Sequence, residues 1–269
     1  MYLAVDVGAS KTLFAVFSRD GHIKHKQKIK TDLDYDKFLK DVADTLAQDI
    51  YKDIDAACFA FPGWFDFEKG IFIAGGRLPW HNLPLKKDLS KLLPHQKILI
   101  HNDAKLAALS EAKLAPQKYR KILYLTLSTG IGGGVIVDGR IEPEFEILEP
   151  GQMMFDYDGK KQKWESFASG RALFERYGRR AAEIEDKKIW HDYAKLVAMG
   201  LQELLVIIRP DLIIFGGGAG GHIDKFKTFL MAELQKTGSP LVNVPPMVKA
   251  KRPAEAVIYG CYEYLKANT

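Results

Sequence analysis

Apolar residues in this chain come in short dense runs that alternate with longer stretches of helical period. Tyr2 to Val7 is an apolar run ending at Gly8, and Leu13 to Phe17 is another, followed by Asp20-Gly21. The pattern predicts strand, glycine turn, strand and then a hairpin turn of the Asp-Gly kind. Lys24, Lys26, Lys28 and Lys30 next alternate with other residues, as on the solvated face of a strand. The period then changes. Tyr35, Phe38, Leu39, Val42, Leu46 and Ile50 follow helical spacing, which predicts an amphipathic helix over the whole stretch. Ala56 to Phe61 reads as a strand broken by Pro62-Gly63, and Lys97 to His101 as a strand leading into a helix near Asp103.

The second half repeats the opening. Ile122 to Leu127 is an apolar strand, Gly130, Gly132, Gly133 and Gly134 form a turn, Val135 to Val137 is a strand, and Asp138-Gly139 is a hairpin turn. This order matches that of residues 3 to 23, which points to two domains sharing one plan. A helix follows with Leu196, Met199, Leu204, Leu205 and Ile208 on its apolar side, and Arg209-Pro210 ends it. Leu212 to Phe215 is a buried strand running into Gly216, Gly217 and Gly218, and Pro253 opens a last helix over Ala254 to Leu265. Strands alternating with helices make the class α/β with two sheets.

Composition narrows the function more than the fold. The 269 residues are enough for one large or two medium domains, each able to bury its own core. Lys and Arg outnumber Asp and Glu by 39 to 34, an excess that suits an anionic small ligand and is too weak to argue for nucleic acid. No charged leader with an apolar stretch precedes the first strand, and no apolar run approaches the roughly 18 residues of a membrane span. Cys58 and Cys261 lie in an apolar strand and an apolar helix, as buried free thiols of a reducing compartment do. The expected location is cytoplasmic, with neither membrane nor nucleic acid as partner.

Three glycine turns follow apolar strands: Asp6-Val7-Gly8-Ala9-Ser10, the segment from Ser128 to Gly134, and Gly216-Gly217-Gly218. Glycine lets the backbone approach a phosphate and turn its amides inward, while Ser10, Thr12, Ser128 and Thr129 add hydroxyls. One such turn is most simply a tight turn; three at strand ends, two of them in a repeated context, point to a nucleotide. Neither a Gly-Lys-Ser/Thr P-loop nor a Rossmann fingerprint is present. His101-Asn102-Asp103-Ala104 stands where a strand meets a helix. Asp103 there is either a helix N-cap or a base for a substrate hydroxyl, as phosphoryl transfer to an alcohol requires. Asp6 is either structural or a holder of magnesium through water.

Together these pieces resemble the actin-like ATPase superfamily, and more closely the ROK family of sugar kinases and repressors, over nearly the whole chain. DVGASKT is similar to the family's first phosphate motif, LTLSTGIGGGVIVDGRI to its second, and RPDLIIFGGGAGG to its adenosine motif. HNDAKLAALSE matches the segment carrying the catalytic aspartate, which falls on Asp103, and FPGWFDFEKGIFIAGGRLPW resembles the stretch from the Pro-Gly turn to a sugar-site loop. LEPGQMMFDYDG and WESFASG resemble the segments supplying two sugar-contacting glutamates, here Glu149 and Glu165. The resemblance implies two actin-like (ribonuclease H-like) α/β domains with a nucleotide cleft between them. The expected domains are residues 1–117, with the C-terminal helix 254–269 packing back on them, and residues 118–253. It implies an ATP- and Mg2+-dependent kinase of a hexose or amino sugar, with Asp103 as general base and a homodimer as the assembly. Asp6, Gly8, Ser10, Lys11, Thr12, Thr129, Gly130, Gly132, Gly133, Gly217 and Gly218 would hold the nucleotide, with Mg2+ near Asp6 and Asp103. Gly63, Asn102, Asp103, Glu149, Gln152 and Glu165 would hold the sugar. The alternative is a sugar- or nucleotide-binding sensor that transfers phosphate poorly; the retained Asp103 argues against it. A repressor is disfavoured because no helix-turn-helix segment precedes the first strand, and an assembling ATPase because the Glu149 and Glu165 segments suit a small polar ligand.

The departures are concentrated on one side. Gln152 stands where the family carries a histidine that contacts sugar and ligates zinc, and Gly159 to Trp164 holds no cysteine or histidine where a cysteine cluster would complete that site. Arg77 stands where a loop usually carries an asparagine toward the sugar. Zinc needs about four ligands of the missing kind. The purified protein is therefore expected to hold no stoichiometric zinc; elemental analysis finding one zinc per chain after dialysis would overturn this.

Overall fold

Two five-stranded sheets built on one strand plan organise the chain. The structure, a computed structural model, describes residues 1–237 and 243–269 and falls into two units, Met1–Ser110 with Glu255–Thr269, and Glu111–Ala254. The α/β class with two sheets is as expected.

In the first unit β1 (Tyr2–Val7), β2 (Lys11–Phe17) and β3 (Ile23–Lys30) form an antiparallel meander. Helix α1 (Tyr35–Leu46) leads to β4 (Ala56–Phe61), which pairs parallel with β1. A small hairpin, β5 (Trp64–Asp66) and β6 (Ile71–Ala74), and helix α2 (Leu85–Leu92) precede β7 (Lys97–Asn102), which completes the order β3-β2-β1-β4-β7. Every residue of β4 is buried, because both faces of the sheet are covered there. Phe14, Phe38, Phe59, Phe61, Phe72 and Trp80 fill one face. The other receives the C-terminal helix Ala256–Asn268 through Ala4, Ala15, Cys58, Leu106, Ile258 and Cys261. Both cysteines are buried free thiols. Helix α3 (Asp103–Lys113) starts directly from β7, and the boundary between the units falls within it.

The second unit repeats the plan with β8 (Lys121–Leu127), β9 (Ile131–Val137) and β10 (Arg140–Ile141) antiparallel. The hairpin β11 (Met154–Tyr157) and β12 (Lys160–Lys163) leads into α4 (Trp164–Ala168), α5 (Gly170–Tyr177) and the long α6 (Lys187–Ile208). Strand β13 (Leu212–Gly216) pairs parallel with β8 and runs into the short α7 (Gly217–Gly220), then α8 (Ile223–Thr237) and β14 (Met247–Lys249). The order β10-β9-β8-β13-β14 reproduces that of the first sheet.

Four local expectations are corrected. Gly132, Gly133 and Gly134 lie in β9 and not in a turn. At Gly133 a Cβ would meet the Tyr124 carbonyl at 2.9 Å and Pro150 at 3.0 Å, so neighbours, and not chain reversal, demand glycine there. Helix α1 stops at Leu46, short of Ile50, because the chain leaves helical backbone at Gln48 and re-enters a 3-10 turn at Asp49–Tyr51. The last helix begins at Ala256, beyond a turn over Pro253, Ala254 and Glu255. The link after β2 is a longer loop: the Ser18 amide donates to the His22 carbonyl, and only Gly21 takes positive φ, at 91°. Asp138-Gly139, with φ of 50° and 74°, is the tight hairpin turn expected.

Trp164 is fully buried, and its indole N–H donates to the Leu196 carbonyl on α6 at 3.0 Å. Gly200 on the same helix faces its ring so closely that a Cβ would lie 2.3 Å from two ring carbons. Alanine would gain about 1 kcal/mol of helix propensity and lose about 1–3 kcal/mol to overpacking. The steric cost wins, since the anchored indole has nowhere to move. Gly200→Ala is expected to unfold at a lower temperature than the parent; an unchanged or raised midpoint would contradict this packing.

Candidate active site

In the first unit the chemistry gathers where β1, β4 and β7 end. Asn102, the last residue of β7, is 5 % exposed, and its Oδ1 accepts from the amides of Ala104 (2.9 Å) and Lys105 (3.2 Å). Those are orphan donors of the first turn of α3, so Asn102 supplies the cap. Its Nδ2 donates to the Gly63 carbonyl at 3.0 Å, tying the Pro62-Gly63 turn to the helix start. Asp103 is thereby relieved of capping and begins the helix itself, its Oδ1 accepting from the Ala104 amide at 2.7 Å. Burial raises the Asp103 carboxyl above the usual carboxylate range, partly opposed by the Ala104 amide and by Lys105. His101 accepts the Asn102 amide at Nδ1 and packs against Phe67 and Tyr264.

Asp6, at the end of β1, is pushed up to about 7, first by burial and then by the charge of Asp103. After it the Gly8 amide donates to the Lys11 carbonyl at 3.1 Å, closing the turn, with Ser10 and Lys11 exposed. Thr12 departs from its expected place: it is fully buried, and its hydroxyl meets that of Thr31 at 2.9 Å. Asp6 and Asp103 form a carboxylate pair whose charges oppose each other, a donor set that fits a hard divalent cation. Among the described residues no group of three or more His, Cys, Asp or Glu could hold a metal, so magnesium would bring phosphate and water oxygens for its remaining positions.

In the second unit Thr129 is exposed at the tip between β8 and β9, where the Ser128 amide donates to the Gly130 carbonyl at 2.9 Å. Glu165, in the first turn of α4, lies under that tip. Its Oε2 accepts the Ile131 amide at 3.3 Å and its Oε1 accepts Gln152 Nε2 at 2.7 Å. A Cβ at Gly130 would meet the same Oε2 at 2.5 Å, so glycine there is what admits the carboxylate. Gln152 closes a 3-10 turn over Pro150–Gln152, its amide donating to the Glu149 carbonyl at 3.0 Å. Gln152 and Glu165 are thus brought together beside Gly130, with the Glu149 backbone at the start of the same 3-10 turn. Gly217 needs its positive φ of 79°, and a Cβ there would strike the Leu127 carbonyl and Thr126 Oγ1 at 2.7 Å. Gly218 is exposed, and a Cβ there would meet nothing within 4 Å. The segment without cysteine or histidine lies in a hairpin whose Asp158 and Gly159 take φ of 52° and 71°. Tyr157 stacks on Phe167 at 4.3 Å between ring centroids, Phe155 meets the same ring edge-on, and Arg176 donates to the Tyr157 hydroxyl at 2.8 Å.

The ROK family pattern matches residues 2–262. This chain belongs to the ROK family. N-acetyl-D-glucosamine kinase of Citrobacter koseri is 27 % identical over 288 residues, covering 93 % of this chain and 94 % of the relative. The ROK hexokinase of Thermus thermophilus superposes with a TM-score of 0.77 at 24 % identity, covering 99 % of each chain. A ROK glucokinase of Streptomyces griseus, in complex with glucose and AMPPNP, superposes with a TM-score of 0.79 at 21 % identity, covering 98 % of each. Among the described residues of this ROK chain no helix is long and apolar enough to cross a membrane.

The sequence left two features of the site unread. Asn102 and Asp103 are about equally good caps, and adjacent residues cannot be told apart until the helix start is located. The link from Asn102 to Gly63 spans 39 positions and had no local signal.

Because an acid whose folded pKa is raised holds its proton longer in the folded state, the stability Asp6 contributes is full below its ordinary 3.8 and is lost as pH rises through about 7. Asp6→Asn cannot ionise. In chelator-treated, ligand-free protein its thermal midpoint relative to the parent is expected to be higher at pH 8 than at pH 5. An equal difference at both pH values would refute the buried-charge account.

Proposed function

We propose that this ROK-family chain is an ATP-dependent carbohydrate kinase that moves the γ-phosphoryl group to a hydroxyl of a hexose or amino sugar. The observation that carries the reading is the division of labour at the start of α3: Asn102 caps the helix, and Asp103 beside it stands with a raised proton affinity. A carboxylate with a raised proton affinity is a better proton acceptor than an ordinary surface aspartate. Similarity to the N-acetyl-D-glucosamine kinase of Citrobacter koseri, and to the Streptomyces griseus glucokinase in complex with glucose and AMPPNP, supports the same reaction class.

In this reading the acceptor hydroxyl hydrogen-bonds to Asp103. Its oxygen forms a bond to the γ-phosphorus, the bond from that phosphorus to the β,γ-bridging oxygen breaks, and the hydroxyl proton ends on Asp103. ADP and the sugar phosphate are the products. Backbone amides at Gly8 to Ser10 and at Thr129-Gly130 are assigned to the phosphates, with the Lys11 ammonium near the first of these, and the space at Gly218 to the adenosine. Asp6 and Asp103 would hold magnesium, which would supply neutralising charge for the phosphoryl group. Asn102, Glu149, Gln152 and Glu165 orient the sugar, Glu165 being itself positioned by Ile131 and Gln152.

Acceptor-dependent ADP release, measured with ATP and Mg2+ over hexoses, amino sugars, N-acetylated sugars and sugar acids, separates a kinase from a sensor. With the best acceptor, Asp103→Asn is expected to lose roughly 10²–10⁴-fold in turnover, the usual share of a general base. The protein should still bind ATP, and its thermal midpoint should hold or rise, because the amide removes a charge that burial and the neighbouring Asp6 disfavour. A folded, ATP-binding Asp103→Asn protein that keeps most of its activity would end the case for this base.

A further inference from the structure

Arg77 stands at the tip of a turn that the first unit holds with unusual firmness. Gly75 and Leu78 pair across the turn, and Gly75 and Gly76 take φ of 155° and 59°. Below it Leu78 and Trp80 are 4 % and 3 % exposed, and the Trp80 indole N–H donates to the Leu33 carbonyl at 2.8 Å. On the other side the turn rests directly on the Pro62-Gly63 turn: a Cβ on Gly75 would fall 2.1 Å from Gly63 Cα, and one on Gly76 would fall 2.9 Å from Pro62 Cγ. Gly63 in turn carries the carbonyl that Asn102 holds, next to Asp103. A short chain of fixed contacts therefore runs from the candidate base to Arg77, whose Cα is two residues, at most about 7 Å of chain, beyond Gly75.

The guanidinium at the end of that chain is exposed and makes no hydrogen bond or ion pair among the described residues. Two acids of the same unit are already engaged, Asp66 by Lys69 at 2.9 Å and Asp88 by Lys91 at 2.7 Å. Neither acid serves Arg77. A rigid turn holding up an uncompensated planar cation, anchored to the residue before the base, is preorganised for a planar or tetrahedral anion, to which arginine bonds bidentately.

We propose that Arg77 recognises a negative group on the acceptor, so that among hexose-type and amino-sugar-type acceptors the preferred ones carry a carboxylate or a phosphate. This rests on the kinase reading and narrows its acceptor class. The test measures ADP release with hexuronates and hexonates, with hexose monophosphates, and with the parent neutral hexoses, for the wild type, Arg77→Gln and Arg77→Lys. The wild type is expected to favour an anionic acceptor over its neutral parent by roughly 10- to 100-fold in kcat/KM, the range of a charge-assisted contact. Arg77→Gln should erase most of that ratio, chiefly through KM, and Arg77→Lys should retain part of it, having charge without the fork. The carboxylate and phosphate arms tell which group is read. A wild type that prefers neutral sugars, or a ratio that Arg77→Gln leaves unmoved, overturns the proposal. If no acceptor at all releases ADP, the kinase reading fails on its own account. Thermal stabilisation by the same anionic sugars then decides Arg77: seen in the wild type and lost in Arg77→Gln it stands, and absent or equal in both it falls.

Discussion

One buried amide, that of Asn102, holds the first unit's functional end together. It satisfies two helix-start amides through its oxygen and a loop carbonyl through its nitrogen, so a strand end, a helix start and a distant turn are fixed by a single side chain. Leaving such groups unpaired in the interior costs about 1–3 kcal/mol each, which makes the arrangement hard to vary piecemeal. The cap also determines what Asp103 is free to do. At the first position of α3 its carboxylate feels the favourable field of the helix start and the charge of Lys105, yet burial outweighs both and leaves the proton more tightly held. Asp6, partly buried like Asp103, then meets a neighbour of like charge. The pair is costly for the empty protein, and a cation would relieve it.

The repeated strand order places a glycine-bearing turn after the first strand of each sheet, but the glycines answer to different constraints. Gly133 and Gly217 are required by backbone and side-chain atoms that press on them, and Gly130 by the Glu165 carboxylate. Contacts within the second unit therefore explain Gly130, Gly133 and Gly217, whereas a Cβ at Gly218, as at Gly159 and Gly178, would meet nothing within 4 Å.

The segment after Gln152, which carries no cysteine or histidine up to Trp164, is held by packing. A tight Asp158-Gly159 turn sets the hairpin, and stacked or edge-on rings of Phe155, Tyr157 and Phe167 pin it to the core, contacts worth about 0.5–1.5 kcal/mol per pair beyond burial. The Trp164 amide donates to the Met153 carbonyl at 2.7 Å and closes the base. Glu165 follows immediately, so the same packing fixes the carboxylate beneath Gly130.

Much of this was legible along the chain, because it depends on neighbours in sequence. Hydrophobic period located β1, β4, β8, β13 and the body of α6; Asp138-Gly139 marked its hairpin; Arg209-Pro210 marked the end of α6, with Arg209 at φ of 50°. The motifs likewise placed Asp6, Asn102 and Asp103 at strand ends. Tertiary structure alone decided which of two adjacent polar residues caps α3, that Thr12 turns inward to Thr31, and that Gly132 to Gly134 belong to a strand. It alone joined Gly63 to Asn102 and Glu165 to Gly130, and set Arg77 on a turn braced by Gly63. The physical reason is the same in each case: period and turn chemistry are set by residues a few positions apart, whereas the direction of a side chain is settled by what packs against it from far along the chain.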